Sequence, residues 1–148
     1  MFESFDKRAI RFFRKISEPS ARIALFIVFF WFGLLKVIGL SPASGLVLRL
    51  FEETISWMSF GTFIVLFGLL ECAIGILFLW KGAERVVIPL LFLHMVTTFL
   101  PLILLPEIGW QQFLVPTLEG QYIIKNVVLI AAAIGIASHI HPLADHRS

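Results

Sequence analysis

Seven polar residues stand inside stretches of sequence that are otherwise apolar: Lys36, Glu71, His94, Thr97, Thr98, Lys125 and Asn126. A carboxylate and an imidazole can pass a proton between them, and an ammonium group can neutralise the carboxylate or donate to a ligand oxygen. What these residues can do depends on their surroundings. The chain has 148 residues, 59% hydrophobic and 15% charged, where a soluble domain is roughly 45–50% apolar and about 25% charged. Mean hydropathy is +0.94. That leaves too little polar surface to coat a water-soluble globule. An ordinary cytosolic domain, a disordered chain and a nucleic-acid binder are excluded, despite a sequence pI near 9.0. The single cysteine, Cys72, excludes an intramolecular disulfide and any metal site built from several thiolates. An integral membrane protein remains.

A membrane span needs roughly 20 mostly apolar residues, because a helix rises about 1.5 Å per residue through a hydrocarbon core about 30 Å thick. Four stretches qualify, at about 23–40, 61–80, 86–105 and 122–140. The runs are too long for barrel strands and lack their alternation, and backbone groups in lipid must pair within the segment, so helices follow. No linker divides the chain and no repeat is visible. The expectation is one all-α membrane domain over 1–148, a four-helix bundle.

Orientation follows from the basic residues. Of the twelve Lys and Arg, nine fall on one side of the spans: Lys7, Arg8, Arg11, Arg14, Lys15, Arg22, Lys81, Arg85 and Arg147. Only Arg49 falls on the other. Both termini are therefore expected in the cytoplasm. Phe2, Phe5, Ala9, Phe12, Phe13 and Ile16 form one stripe on a helical wheel, with Lys7, Arg8, Arg11, Arg14 and Lys15 opposite. That pattern predicts an amphipathic helix over 1–18 lying in the plane of the anionic leaflet, or else docked on a partner subunit, rather than a cleaved signal. Of the outer loops, 41–60 places Leu46, Leu50, Thr54 and Trp57 at helical spacing, predicting a short interfacial helix. The loop at 106–121, with Pro106, Gly109, Trp110, Pro116 and Gly120, predicts an irregular lid. Trp57 and Trp110 suit the outer interface and Trp80 the inner one.

Depth sorts the polar residues. Glu71 and His94 lie about ten residues from the outer ends of their spans, roughly 15 Å deep, while Lys36 and Lys125 lie about 6 Å deep. Glu71 borders a stripe of Gly61, Gly68, Cys72, Gly75 and Gly82, where small residues let helices approach. His94, Thr97, Thr98 and Pro101 share one face, and nearby hydroxyls or water can satisfy the Thr97 carbonyl that Pro101 leaves without a donor. A Glu71–His94 contact inside the bundle is expected. Lys36 and Lys125 can each snorkel to the outer surface instead, or Lys36 can reach across the layers to Glu71. The plainer reading of Glu71 and His94 is a polar contact that fixes helix register. Bis-histidine haem ligation needs two histidines at one height; His139 and His141 lie about 10 Å below His94 by helical rise. A tail cluster of His139, His141 and His146 suits a solvated tail better than a metal site.

Trp31-x-Gly33-x-x-Lys36, Gly68-x-x-Glu71-x-x-x-Gly75 and Gly120-Gln121-Tyr122-x-x-Lys125-Asn126, in that order and at those depths, resemble the DoxX-like small membrane proteins. The similarity extends to inner-membrane proteins linked to reactive-chlorine resistance, and spans about residues 20–141. The resemblance implies a four-helix bundle in a bacterial inner membrane. It also implies quinone-linked redox chemistry, because the founding member is described as the small subunit of a thiosulfate:quinone oxidoreductase. Its polar positions map onto Lys36, Glu71, Lys125 and Asn126; no family role transfers to His94.

Two functions from different classes follow. The first is a redox-linked subunit that binds a quinone or similar amphiphile, with walls drawn from sixteen Phe, Lys36 or Lys125 as donors, and Glu71 with His94 as a proton route. No covalently bound cofactor is expected. The second is a non-catalytic accessory subunit of a larger membrane complex. The expected company is the bilayer, with a partner subunit or further copies of the chain.

Overall fold

A computed structural model describes residues 2–140, with side chains from residue 5 onward. His141, His146 and Arg147 lie outside the described residues. Four helices are long and apolar enough to cross a membrane: Phe5–Val37, Phe60–Leu79, Glu84–Leu104 and Leu118–Ala137. This is a multi-pass architecture. The first span belongs to α1 (Phe2–Val37) and the second is α3 (Phe60–Leu79). The third is α4 (Glu84–Phe99) continued by α5 (Pro101–Leu104), and the fourth is α7 (Leu118–Lys125) followed by α8 (Val127–Ala137). Leu25 and Phe29 of α1, Ile74 and Phe78 of α3, Leu91 of α4 and Ile136 of α8 meet in one core. All four spans contribute to it.

Lipid tails are as apolar as these side chains, so burying them supplies little drive toward helix association; close packing and interhelical polar bonds must hold the bundle. Gly33 of α1 faces Gly68 and Cys72 of α3, and Gly75 lies against the backbone of Phe26 and Phe30. As the α1 number falls the α3 number rises, so the two helices run antiparallel. Gly61 and Gly82, expected on the same stripe, have no neighbour where a Cβ would stand. The contact face is narrower than the glycine pattern suggests. Gly82 instead takes φ +99 in the tight turn to α4, a conformation that suits glycine.

The segment 1–18 is not set apart from the first span. α1 continues through Pro19 as one helix of 36 residues, about 54 Å at the helical rise and longer than the hydrocarbon core. A proline in a helix removes a single N–H bond and crowds one carbonyl, which this helix absorbs. At the other end, Gly39 (φ +74) stops the helix. Its N–H donates to the Lys36 carbonyl at 3.2 Å and that of Leu40 to the Leu35 carbonyl at 2.8 Å, the paired bonds of a Schellman cap.

The loops at 41–60 and 106–121 are more ordered than their composition suggests. The expected short helix is present as α2 (Ser44–Thr54), with Trp57 beyond its end. The loop at 106–121 contains α6 (Pro106–Gly109) and a hairpin of β1 (Trp110–Gln112) with β2 (Val115–Pro116), in place of an irregular lid. Trp110 is no simple interface anchor: its Nε1–H donates to the Leu102 carbonyl at 2.9 Å and ties the hairpin to α5. Thr117 caps α7, accepting the Gly120 N–H at 3.0 Å, while its hydroxyl donates to the Ile108 carbonyl. A Cβ on Gly120 would overlap the Gly109 carbonyl oxygen. Gly120→Ala is therefore expected to cost about 1–3 kcal/mol, typical of overpacking. Faster hydrogen exchange at the Thr117 amide, which bonds that same carbonyl at 3.1 Å, is the local readout.

Candidate functional site

Lys36 occupies the last turn of α1, Glu71 the middle of α3 and His94 the middle of α4. The close approach at Gly33 and Gly68 brings the first two together: a Cβ on Gly68 would stand 2.9 Å from that of Lys36. Lys36 Nζ lies 2.6 Å from Glu71 Oε2, and His94 Nε2 lies 3.2 Å from Glu71 Oε1. One carboxyl group thus holds both neighbours, one on each oxygen. The three side chains are 7%, 7% and 4% exposed. The midplane and outer layers merge into one centre, and Lys36 does not snorkel.

Aromatic rings close this centre. Phe67 stacks on the imidazole with centroids 5.0 Å apart, and Phe29 meets it edge-on at 5.5 Å. Lys36 Nζ sits 5.6 Å from the Phe67 centroid, within range for cation–π attraction. Phe67 in turn stacks on Phe63 at 5.5 Å, and Phe63 packs against Phe51 of α2 at 5.0 Å. A row of rings therefore leads from α2 to His94.

Among the described residues, one buried side-chain polar atom has no hydrogen-bond partner, Nδ1 of His94. Neutral imidazole with Nε2 protonated leaves Nδ1 a bare acceptor; imidazolium leaves it an undonated N–H. Either form forgoes a bond, and a buried polar atom left that way costs about 1–3 kcal/mol. An atom of this kind in a folded protein points to stored strain, to a redox or catalytic role, or to a bound water or ion.

The remaining expected site residues are arranged differently. Thr97 and Thr98 lie on the His94 face, but their hydroxyls donate to the His94 carbonyl, at 2.7 and 3.1 Å, not to that of Thr97. They serve the helix, since a hydroxyl one turn on can bond back to the carbonyl it faces. Lys125 is exposed and lies over the Tyr122 ring, 5.4 Å from its centroid. Asn126 sits at the α7–α8 junction, its carbonyl accepting from Leu129 and Ile130. Neither joins the Lys36–Glu71–His94 centre.

A second ionic cluster stands at the opposite end of the bundle. Arg22, 6% exposed, donates to Glu18 at 2.8 Å, to the Phe78 carbonyl at 3.1 Å and to Glu84. It ties α1 to the end of α3 and the start of α4. The i,i+4 spacing of Glu18 and Arg22 was the available sequence signal; the reach to Glu84 depends on tertiary packing. Phe29 and Phe67 carried no signal that set them apart from the other phenylalanines. No family model matches this chain, and neither a curated protein nor a solved structure does.

Proposed function

We propose that the protein is a DoxX-like subunit of a bacterial inner membrane that binds a quinone or similar amphiphile at the Lys36–Glu71–His94 centre and serves a redox partner. The observation that carries this reading is the buried, unpartnered Nδ1 of His94 at the end of a row of ionisable groups that meet through Glu71. A quinol hydroxyl would donate to Nδ1 of the neutral imidazole, and a quinone carbonyl would accept from the Nδ1–H of the imidazolium, with either ring stacked against Phe67 or Phe29. Glu71 holds the imidazole by its other nitrogen, fixing its orientation, and Lys36 balances the carboxylate. Protons can move along the three groups, while the electrons come from the partner.

The same reading places both termini in the cytoplasm, from the nine basic residues on that side. It lays the first half of α1 on the anionic leaflet. Phe5, Phe12 and Phe13 are exposed opposite the basic stripe, and Pro19, which lacks an N–H, is a point where the helix can bend.

Binding of decylubiquinone to the purified protein in detergent tests the proposal. Glu71→Gln and His94→Gln are expected to weaken it about tenfold or more, the loss of one charge-assisted hydrogen bond. Equal binding by both variants contradicts it. The second reading, an accessory subunit, is favoured by the outer hairpin, whose tip residues Phe113 and Leu114 are 88% and 71% exposed. Stoichiometric co-purification with other subunits and no quinone binding supports that reading.

A further inference from the structure

The two halves of the bundle on either side of the Lys36–Glu71–His94 centre are unlike. Toward the Arg22 end every span offers buried apolar side chains, among them Leu25 of α1, Ile74 and Phe78 of α3, Leu91 of α4 and Ile136 of α8. From Val86 to Leu93, α4 carries apolar side chains only, and α8 does so throughout Val127–Ala137. Cys72 of α3 adds one thiol, which donates to the Phe30 carbonyl at 3.6 Å. This layer is thick. By helical rise about 10 Å separates Glu71 from Phe78, and about 15 Å separates His94 from Glu84. Arg22 joins the far side of the layer by bonding the Phe78 carbonyl and Glu84.

Polar atoms resume on the other side of His94. Thr97 and Thr98 stand one turn beyond it, both half-buried. Each hydroxyl donates to the His94 carbonyl, and its oxygen keeps lone pairs that can accept. Lys36 is one residue from the end of α1, and Ser41, also buried, follows in the next loop. A buried water needs roughly two to four polar partners. The half that holds Lys36, Thr97 and Thr98 supplies them. The layer of Leu25, Ile74, Phe78 and Leu91 does not, and a bare charge is strongly disfavoured there. Around the centre, α1 offers Lys36, α3 Glu71 and Cys72, and α4 His94. Among the described residues, α5 and α8 offer no titratable group, while Arg49, Glu52 and Glu53 of α2 and Glu119, Tyr122 and Lys125 of α7 are exposed.

We propose that the centre exchanges protons with water from the Lys36 end of the bundle alone, the apolar layer sealing it from the Arg22 end. The inference rests on the reading of the centre as a proton route, and it holds whatever ligand sits there. A ligand at His94 Nδ1 therefore takes up or releases its protons on a single side of the membrane. In the orientation proposed above, that side faces away from the cytoplasm.

Infrared difference spectroscopy of the full chain in sealed vesicles, with no quinone added, tests this. A trapped buffer holds the internal pH, which a trapped dye verifies. The external pH is stepped over about pH 4–9, which brackets the ordinary carboxyl and imidazole values. Capture through a C-terminal affinity tag sorts the vesicles, because the chain reaches its C-terminus from Ile140, which lines the same cavity as Arg22. Captured vesicles present the Arg22 end outside. The signal of the centre is the carboxyl and imidazole change missing from His94→Gln, a variant that keeps the Lys36–Glu71 pair; if it does not fold, the band that moves in Glu71→Asp identifies the signal. Vesicles that escape capture are expected to show the signal at each external step. Captured vesicles are expected to show none until the ionophore nigericin lets the internal pH follow. A response from the Arg22 end, or from both ends, overturns the one-sided path and leaves the proton route standing. No response even with the ionophore overturns the proton route, and the one-sided path with it.

Discussion

Replacing Lys36 by methionine is expected to cost the folded bundle about 3–5 kcal/mol, and replacing Glu71 by leucine in the same chain is expected to return most of that loss. Lys36 and Glu71 are each 7% exposed and meet at 2.6 Å, so neither has water to fall back on. Taking one partner away leaves the other desolvated and uncompensated, which is the costly state; taking both away leaves two apolar side chains of similar bulk. His94 lowers the penalty at Glu71 only in part, because one polar contact at 3.2 Å does not replace a formal charge. Unfolding by sodium dodecyl sulfate titration, followed by circular dichroism, gives the three stabilities. Two single losses that simply add in the double variant would show that the pair does not interact inside the bundle. The Lys36→Met chain is also the stricter test, because it keeps the carboxyl group and the imidazole in place.

The second large effect concerns backbone proximity. Gly68→Ala is expected to destabilise by about 1–3 kcal/mol, the usual range for overpacking a tight contact. Its new methyl would stand 2.6 Å from the Gly33 carbonyl oxygen and 2.9 Å from Lys36 Cβ. The nearest atom belongs to backbone and cannot turn aside. α1 and α3 must separate, and the separation falls directly on the Lys36–Glu71 bond, so the variant should lose stability and ligand binding together. Gly135→Ala supplies the opposite sign in the same assay. It lies inside α8 with nothing near the added carbon, and exchanging glycine for alanine in a helix interior gains roughly 0.5–1 kcal/mol. If both substitutions behave alike, the glycine contact is not what joins α1 to α3.

Much of this arrangement could be read from residue types. The four spans follow from run length against bilayer thickness, and the Glu71–His94 contact from equal depth on two faces that could not point at lipid. The Lys36 partnership was open between two outcomes. A lysine near the end of a span can reach water, and what buries it here is the Gly33–Gly68 approach, a distance between two helices that no periodicity encodes. Lys125 shows the opposite case. It has the same depth as Lys36, yet the glycine contact of its helix joins Gly120 to Gly109 of the preceding loop and not to another span, and Lys125 stays exposed over Tyr122. The continuity of α1 through Pro19 was hidden because a proline beside charged residues reads as a boundary, although a helix can absorb one missing donor. The order in the 106–121 segment comes from Thr117 and Trp110 bonding to carbonyls nine and eight residues away, partners that composition does not reveal. Arg22 was counted among the basic flank for the same reason: its burial depends on Glu84, distant in sequence.

Dipolar recoupling between lysine ¹⁵Nζ and glutamate ¹³Cδ in the labelled protein, reconstituted in lipid, measures the central contact without reference to function. Strong dephasing at hydrogen-bonding range, lost in Lys36→Met and again in Glu71→Gln, is the predicted result. A spectrum in which those two variants leave the dephasing unchanged, or in which the intact protein shows none, would place the ammonium and carboxyl groups apart and contradict the shared interior on which the binding and stability predictions rest.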